Sequence, residues 1–181
     1  TLEGMLPPAT GLRYAGAVES GAVLGVWTRS TVAGDTRLES RSVDCELALK
    51  AMPSLAELTA NLRGSPDRVT GERLRRQMRL RRDFGEGPQA TLVLTCWRLG
   101  DALLVAGPGE AYSCFQRALR HRFAPHPVVV INLANGYASY LPPRELYSGR
   151  WCYTVEVSPF QAGSLERMTD CALAAGGELL G

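Results

Sequence analysis

Hydrophobic and polar positions are patterned most regularly after residue 89. Residues 90–99 (ATLVLTCWRL) and Ala102–Ala106 (ALLVA) read as strands, joined across Gly100-Asp101, a dipeptide typical of hairpin turns. Gly107-Pro108-Gly109 breaks the pattern. Residues 110–123 are then expected to be helical, with Glu110 in the first turn, where the helix dipole favours a carboxylate. Residues 127–133 (PVVVINL) form a continuous apolar run, the signature of a strand buried on both faces. It ends in Ala134-Asn135-Gly136-Tyr137. Pro142-Pro143 opens a short helical stretch, Tyr153–Val157 reads as an edge strand, and residues 161–175 read as a final helix.

The first half is less regular. Residues 1–42 are rich in Gly, Ser and Thr and hold one strand candidate, residues 22–28 (AVLGVWT). Residues 43–49 (VDCELAL) alternate and predict a second strand. Pro53 and Ser54 open a short helix that Gly64 stops near residue 62. Another helix is expected from about residue 67 to 82, with Asp67 as N-cap. No internal repeat is visible. Strands alternating with helices predict an α/β fold with a mixed sheet.

Residues 102–133 would form a parallel strand–helix–strand crossover. Both strands of such a unit end at one sheet edge, where ligands of open α/β sheets bind. Glu110 follows the first strand and Tyr137 the second, so the two side chains can converge there if the strands are neighbours, about 4.8 Å apart. Gly107 and Gly109 permit backbone conformations that bulkier residues resist. Each feature also has a plain structural explanation, since a first-turn glutamate caps a dipole and a turn tyrosine packs.

Composition narrows the picture. The chain has 181 residues, 45% of them apolar and 21% charged, the amount and balance of one globular domain. That excludes a disordered tail, a collagenous repeat or a disulfide-dense miniprotein. No apolar run approaches the roughly 20 residues of a membrane span. A formal charge of +2 gives no reason to expect a nucleic-acid partner. Lys50 is the single lysine among 20 basic residues, which reads as coding bias. Arg73, Arg75, Arg76, Arg79, Arg81 and Arg82 crowd one helix and read as a solvated face, with Leu74, Met78 and Leu80 as its buried stripe. The five cysteines form no CxxC pair and are expected to be buried small hydrophobes rather than metal ligands. Thr1 follows no initiator methionine or signal sequence, so the chain reads as a segment of something longer. Nothing near it supports an N-terminal threonine nucleophile.

The segments LGDALLVAGPGEAY (residues 99–112) and VVVINLANGYASYLPPRELY (residues 128–147) resemble the C-terminal part of the catalytic domain of neutral/alkaline, non-lysosomal ceramidases, their bacterial branch in particular. The shared order is a strand into a P-G-E turn, a helix, a hydrophobic strand and an N-x-Y-x-x-Y segment. An SPF…AG stretch near residues 158–163, before a terminal helix, also fits. The likeness is clear over residues 87–181 and vague over residues 1–86. It implies a zinc-dependent amidase that cleaves a lipid-like N-acyl bond, secreted or periplasmic, in peripheral contact with a membrane surface. In that family two histidines, a glutamate and a tyrosine hold the metal. Carried over residue by residue, Glu110 and Tyr137 would be zinc ligands, Tyr147 a catalytic group, and Asn135 and Tyr140 groups facing the substrate or supporting the ligands. The two histidine ligands are expected upstream of this chain. His121 and His126 fall at the opposite edge of the sheet and read as surface or loop residues. The chain alone is therefore expected to hydrolyse nothing. The alternative is a binding or structural domain that keeps the scaffold without the chemistry.

Overall fold

The structure is a computed structural model that describes residues 37–64 and 67–181. The strand expected at residues 22–28 lies outside them. The elements are β1 (Leu38–Ala48), α1 (Leu55–Arg63), α2 (Arg68–Phe84), β2 (Gln89–Leu99), β3 (Ala102–Ala106), β4 (Glu110–Ala111), α3 (Ser113–Phe123), β5 (Val128–Ile131), β6 (Tyr140–Leu141), a 3-10 turn at Arg144–Ser148, α4 (Tyr153–Val157) and α5 (Ser164–Leu180). Four strands form one sheet in the order β1-β2-β3-β5, and β4 pairs with β6 separately. β1, β2 and β3 run antiparallel, while β3 and β5 are parallel. The fold is thus α/β with a mixed sheet and one parallel crossover, as the pattern predicts.

β1 begins earlier than its alternation suggests because β2 offers a partner along its whole length, from Leu38 opposite Leu99 to Ala48 opposite Gln89. The hairpin turns at Gly100, whose φ of 60° is open to glycine at no steric cost. The Ser54 side chain and Glu57 form a reciprocal capping box on α1, and the Asp67 carboxylate accepts from the Val69 and Thr70 amides on α2. α3 and α5 pack on one sheet face. Leu92, Leu94, Leu103 and Val105 point into that layer and meet Phe115, Leu119, Met168 and Ala172.

Three expectations are corrected. The helix after the P-G-E turn starts at Ser113, because the Glu110 amide donates to the Ser139 carbonyl (2.9 Å) and β4 pairs with β6. Glu110 therefore lies in extended backbone, and the dipole argument for it falls away. The strand after Pro127 ends at Ile131 and forms a sheet edge, with Val129 46% and Ile131 40% exposed rather than buried on both faces. Tyr153–Val157 is a short helix, although its β-branched residues suit a strand. The Glu156 and Ser158 amides donate to the Cys152 and Thr154 carbonyls (3.0 and 3.1 Å).

The arginine stretch divides. Arg81 is buried, and its guanidinium donates to the carbonyls of Met52, Pro53 (3.0 Å) and Gly85 (3.3 Å), so it ties α2 to the chain on either side of it. Met78 and Leu80 are buried and Leu74 half-buried, as the spacing predicts. Arg98 is buried in the same way, bonded to the carbonyls of Gly100 (2.9 Å) and Leu179 (2.8 Å).

Cys45, Cys96 and Cys171 are buried, whereas Cys114 and Cys152 are half-buried. Burial pushes the Cys96 thiol up to about 11, and burial together with a hydrogen bond to Cys171 raises Cys45 further. The Thr154 hydroxyl beside Cys152 holds its thiol below the ordinary range. At pH 8 an aromatic disulfide reagent is therefore expected to modify Cys152 first and Cys114 next, leaving three thiols until denaturant is added. Peptide mapping checks this, and fast labelling of Cys96 in the folded chain would contradict it.

Gly176 lets α5 lie against the sheet. A Cβ there would come within 2.8 Å of the Phe123 ring and 2.9 Å of Leu103. Gly176→Ala is expected to cost about 1–3 kcal/mol by overpacking, read as a lower urea midpoint with unchanged slope.

Candidate functional site

At the carboxyl edge of β3 and β5, two loops are laced together by their backbones. Gly107 donates to the Ile131 carbonyl (3.1 Å), Ala134 to Gly107 (2.9 Å), Ala138 to Pro108 (2.8 Å) and Glu110 to Ser139 (2.9 Å). This closeness explains the glycines of both loops. A Cβ on Gly109 would sit 2.4 Å from the Leu141 side chain, and one on Gly136, at φ 155°, would press on Pro108 at 3.3 Å. The second loop is also strained. Leu133 (φ 58°), Asn135 (φ 57°) and Ser139 (φ 69°) all adopt the left-handed region. Each such residue costs roughly 1–3 kcal/mol, and they gather where surrounding structure over-determines a shape. Asn135 is the residue type that tolerates this best, which is its visible role in the loop.

The lacing brings the sequence candidates together in part. Glu110 and Tyr140 are register partners of the parallel β4–β6 pair, so they occupy adjacent positions on neighbouring strands. The Glu110 carboxylate, then burial, then Tyr137 and Tyr153 raise the Tyr140 phenol above its ordinary value, against the opposing pull of Arg76. Glu110, Tyr137 and Tyr140 thus share one electrostatic neighbourhood, with Tyr140 at its centre. Tyr140 also meets the Tyr153 ring edge-on, centroids 6.2 Å apart. Tyr137 is 46% exposed, open to anything that docks there.

A groove of about 450 Å³ opens beside these groups. Tyr137, Ser139 and Tyr140 form one wall, and Glu72, Arg76, Arg79 and Asp83 of α2 form the other. Arg76 pairs with Glu72 at 3.5 Å and lies beside the Tyr153 phenol, which raises its pKa, while Arg79 pairs with Asp83 at 3.7 Å. Arg76 and Arg79 are 59% and 70% exposed, as a solvated face predicts, and they also line this groove. Their i, i+3 spacing puts them on one helix face, but nothing in the sequence says what that face meets. Tyr153 is missed for the same reason. A larger groove of about 700 Å³ runs along α2 past Tyr153 and Glu156; Tyr137 lines only the smaller groove and Glu110 lines neither.

The Tyr147 side chain is held by other partners. Its hydroxyl donates to the Phe160 carbonyl (3.1 Å), and its ring lies under the Lys50 ammonium at 5.3 Å. Burial raises its phenol, and Ser158 and Glu166 bear on it; the Ser158 hydroxyl also donates to the Tyr140 carbonyl (2.8 Å), which links Tyr147 to the backbone of the cluster. His126 Nδ1 lies 3.0 Å from the Asp101 carbonyl, at the start of β3, and His121 is in the last turn of α3. Both are at the far edge of the sheet from Glu110, where their position in the sequence put them.

Among the described residues no group of three His, Cys, Asp or Glu side chains could hold a metal ion. Glu110 and Tyr137 supply two oxygen donors, fewer than the three protein ligands of a catalytic zinc. No described helix is long and apolar enough to cross a membrane.

Fold and site together define an α/β layer that carries a carboxylate and phenols at the carboxyl edge of a parallel strand pair. No protein-family model matches the chain, and no curated protein matches its sequence. Solved structures do match, ceramidases among them. One is a ceramidase complexed with C2, at 16% identity and a TM-score of 0.54 over 89% of this chain. Another is the neutral ceramidase from Pseudomonas aeruginosa, at 18% identity and a TM-score of 0.53, again over 89% of this chain. The fold is ceramidase-like. The chain spans about a third of the length of each, 33% and 31%.

Proposed function

We propose that this chain is the C-terminal portion of a ceramidase-like hydrolase, and that Glu110 and Tyr137 are its contribution to a zinc site. One observation supports this above the others. On a ceramidase-like fold, Glu110 stands in register with Tyr140, and Tyr137 lies in the same charged neighbourhood. The donor chemistry fits part of a zinc shell. A carboxylate is a common zinc ligand, and an adjacent dication favours the anionic form of a phenol. The remaining donors, histidines in the reading above, come from polypeptide outside this chain. Bound zinc would supply a Lewis acid and an acidified water for cleaving an N-acyl amide.

The chain's own residues do the rest. Tyr140, in register with Glu110, donates a hydrogen bond from Oη to a substrate carbonyl. Asn135 sets the left-handed turn that presents Tyr137. Tyr147 fastens the 3-10 turn to the Phe160 carbonyl, behind the groove, so it acts through position. The groove between Tyr140 and α2 takes the lipid-like substrate.

A second reading, a scaffold without catalysis, is favoured by the absence of a three-donor group among the described residues. Zinc analysis of the full-length protein, together with hydrolysis of a short-chain N-acyl sphingoid amide, separates the two. About one zinc per chain and turnover that chelation abolishes support the hydrolase. A zinc-free protein without turnover supports the scaffold.

A further inference from the structure

The two faces of the sheet differ in a way that points to a missing layer. α3 and α5 cover the face of Leu92, Leu94, Leu103 and Val105. On the other face, register aligns Trp97 with Leu104 and Val129 across β2, β3 and β5. Val93, Leu99, Val129 and Ile131 on that face are 50%, 45%, 46% and 40% exposed. β1 contributes Leu38, Ser40, Ser42, Asp44 and Glu46 to the same face and β2 adds Thr91 and Thr95, so its continuous apolar part runs from Trp97 and Leu99 to the β5 edge. A solvated sheet face alternates into polar residues, and parallel strands are covered on both sides. From Trp97 to Ile131 this face does neither. It is also continuous with the candidate site, because β5 runs on into Leu133 and Tyr137, which are 48% and 46% exposed.

We infer that this face is a docking surface for an apolar-faced layer of polypeptide from the same ceramidase-like unit, seated over β2, β3 and β5. Its β5 side would carry the metal donors that Glu110 and Tyr137 lack; that clause, and the donor arguments against other occupants, rest on the proposed function. The occupant follows from two facts. The matched ceramidases are about three times as long as the part this chain spans. A second copy of the chain would bring only His121 and His126, which lie at the wrong end of the sheet. A bilayer supplies no donors and suits the Asp44 side of the face poorly.

The test uses the polypeptide encoded upstream of Thr1 in the same reading frame, expressed separately and mixed with the 181-residue chain in EDTA. Sedimentation is expected to show a one-to-one complex, with a blue shift in tryptophan emission that the Trp97→Phe chain loses. The double variant Leu99→Glu/Val129→Glu is expected to weaken the complex by at least about 100-fold. The uncharged Ile131→Ser is expected to weaken it by about tenfold, with far-UV circular dichroism unchanged. Equal binding by wild type and variants, or no complex with any of them, overturns the inference. So does a dimer of the chain alone, or flotation with phosphatidylglycerol vesicles, that the same substitutions abolish. A complex that forms in EDTA yet takes up no zinc on reconstitution leaves the docking surface standing and removes the zinc reading.

Discussion

Glu110→Ala in the full-length protein is expected to strip most of the zinc and to lower amide hydrolysis by well over about 100-fold. Removing even a group that only supports a metal ligand typically costs 10–100-fold in affinity or activity, so losing a ligand itself costs more. The fold should survive, because Glu110 joins the neighbouring loop through its backbone amide, not its carboxylate. Tyr137→Phe keeps the ring and removes one oxygen donor, and it should also lower zinc content. Tyr140→Phe makes the informative contrast. It removes a hydrogen-bond donor without removing a ligand, so zinc should stay bound while turnover falls by about 10²–10³, the usual loss for one transition-state donor. Metal analysis beside initial rates gives the comparison. Equal zinc in wild type, Glu110→Ala and Tyr137→Phe would reject the ligand assignment. Loss of zinc in Tyr140→Phe would move the metal to the β6 side of the pair.

The topology is legible because it rests on alternation and apolar runs. Residues 90–99 and Ala102–Ala106 around Gly100-Asp101 can hardly be anything but a hairpin, and the crossover to Val128–Ile131 then sets which edge receives Glu110 and Tyr137. Local signals also carry the helix starts at Ser54 and Asp67, where short oxygen-bearing side chains satisfy free amides. What the sequence conceals is long-range. Glu110 looks like a first-turn helix residue until the Ser139 carbonyl, 29 positions away, takes its amide. Tyr153–Val157 looks like a strand because its residues prefer extended backbone, a preference that lapses without a ladder to join. Arg76, Arg79 and Tyr153 carry no mark of the groove they line, since docking of α2 depends on contacts such as Arg81 with the Met52 and Pro53 carbonyls. Tyr147 shows the converse. The family resemblance implies a catalytic role for it, and nothing in the sequence shows that its hydroxyl donates to the Phe160 backbone carbonyl.

Phe160→Ala is expected to be the most destabilising single substitution in the core, at about 3–5 kcal/mol for a fully buried aromatic. Phe160 is completely buried, lies 6.1 Å from Phe84 by ring centroids, and forms an antiparallel bridge with Leu49. It thereby joins the end of β1, the end of α2 and the turn into α5. Its backbone matters too. The Phe160 carbonyl accepts from Tyr147, and its amide donates to the Ser158 hydroxyl, which in turn donates to the Tyr140 carbonyl (2.8 Å). A collapse around the lost ring would therefore reach the β6 strand that holds Tyr140 against Glu110. With total stability on the order of 5–15 kcal/mol, the substitution removes from about a fifth of it to nearly all. Thermal unfolding should show a midpoint lower by about 10 °C, at roughly 2–4 °C per kcal/mol for a chain of this size. Phe160→Leu, which keeps most of the apolar volume, should cost about 1–2 kcal/mol and leave the β4–β6 pairing intact. If Phe160→Ala shifts the urea midpoint no more than Phe160→Leu, then the ring does not fasten these elements together, and the link from the core to the Glu110–Tyr140 pair is broken.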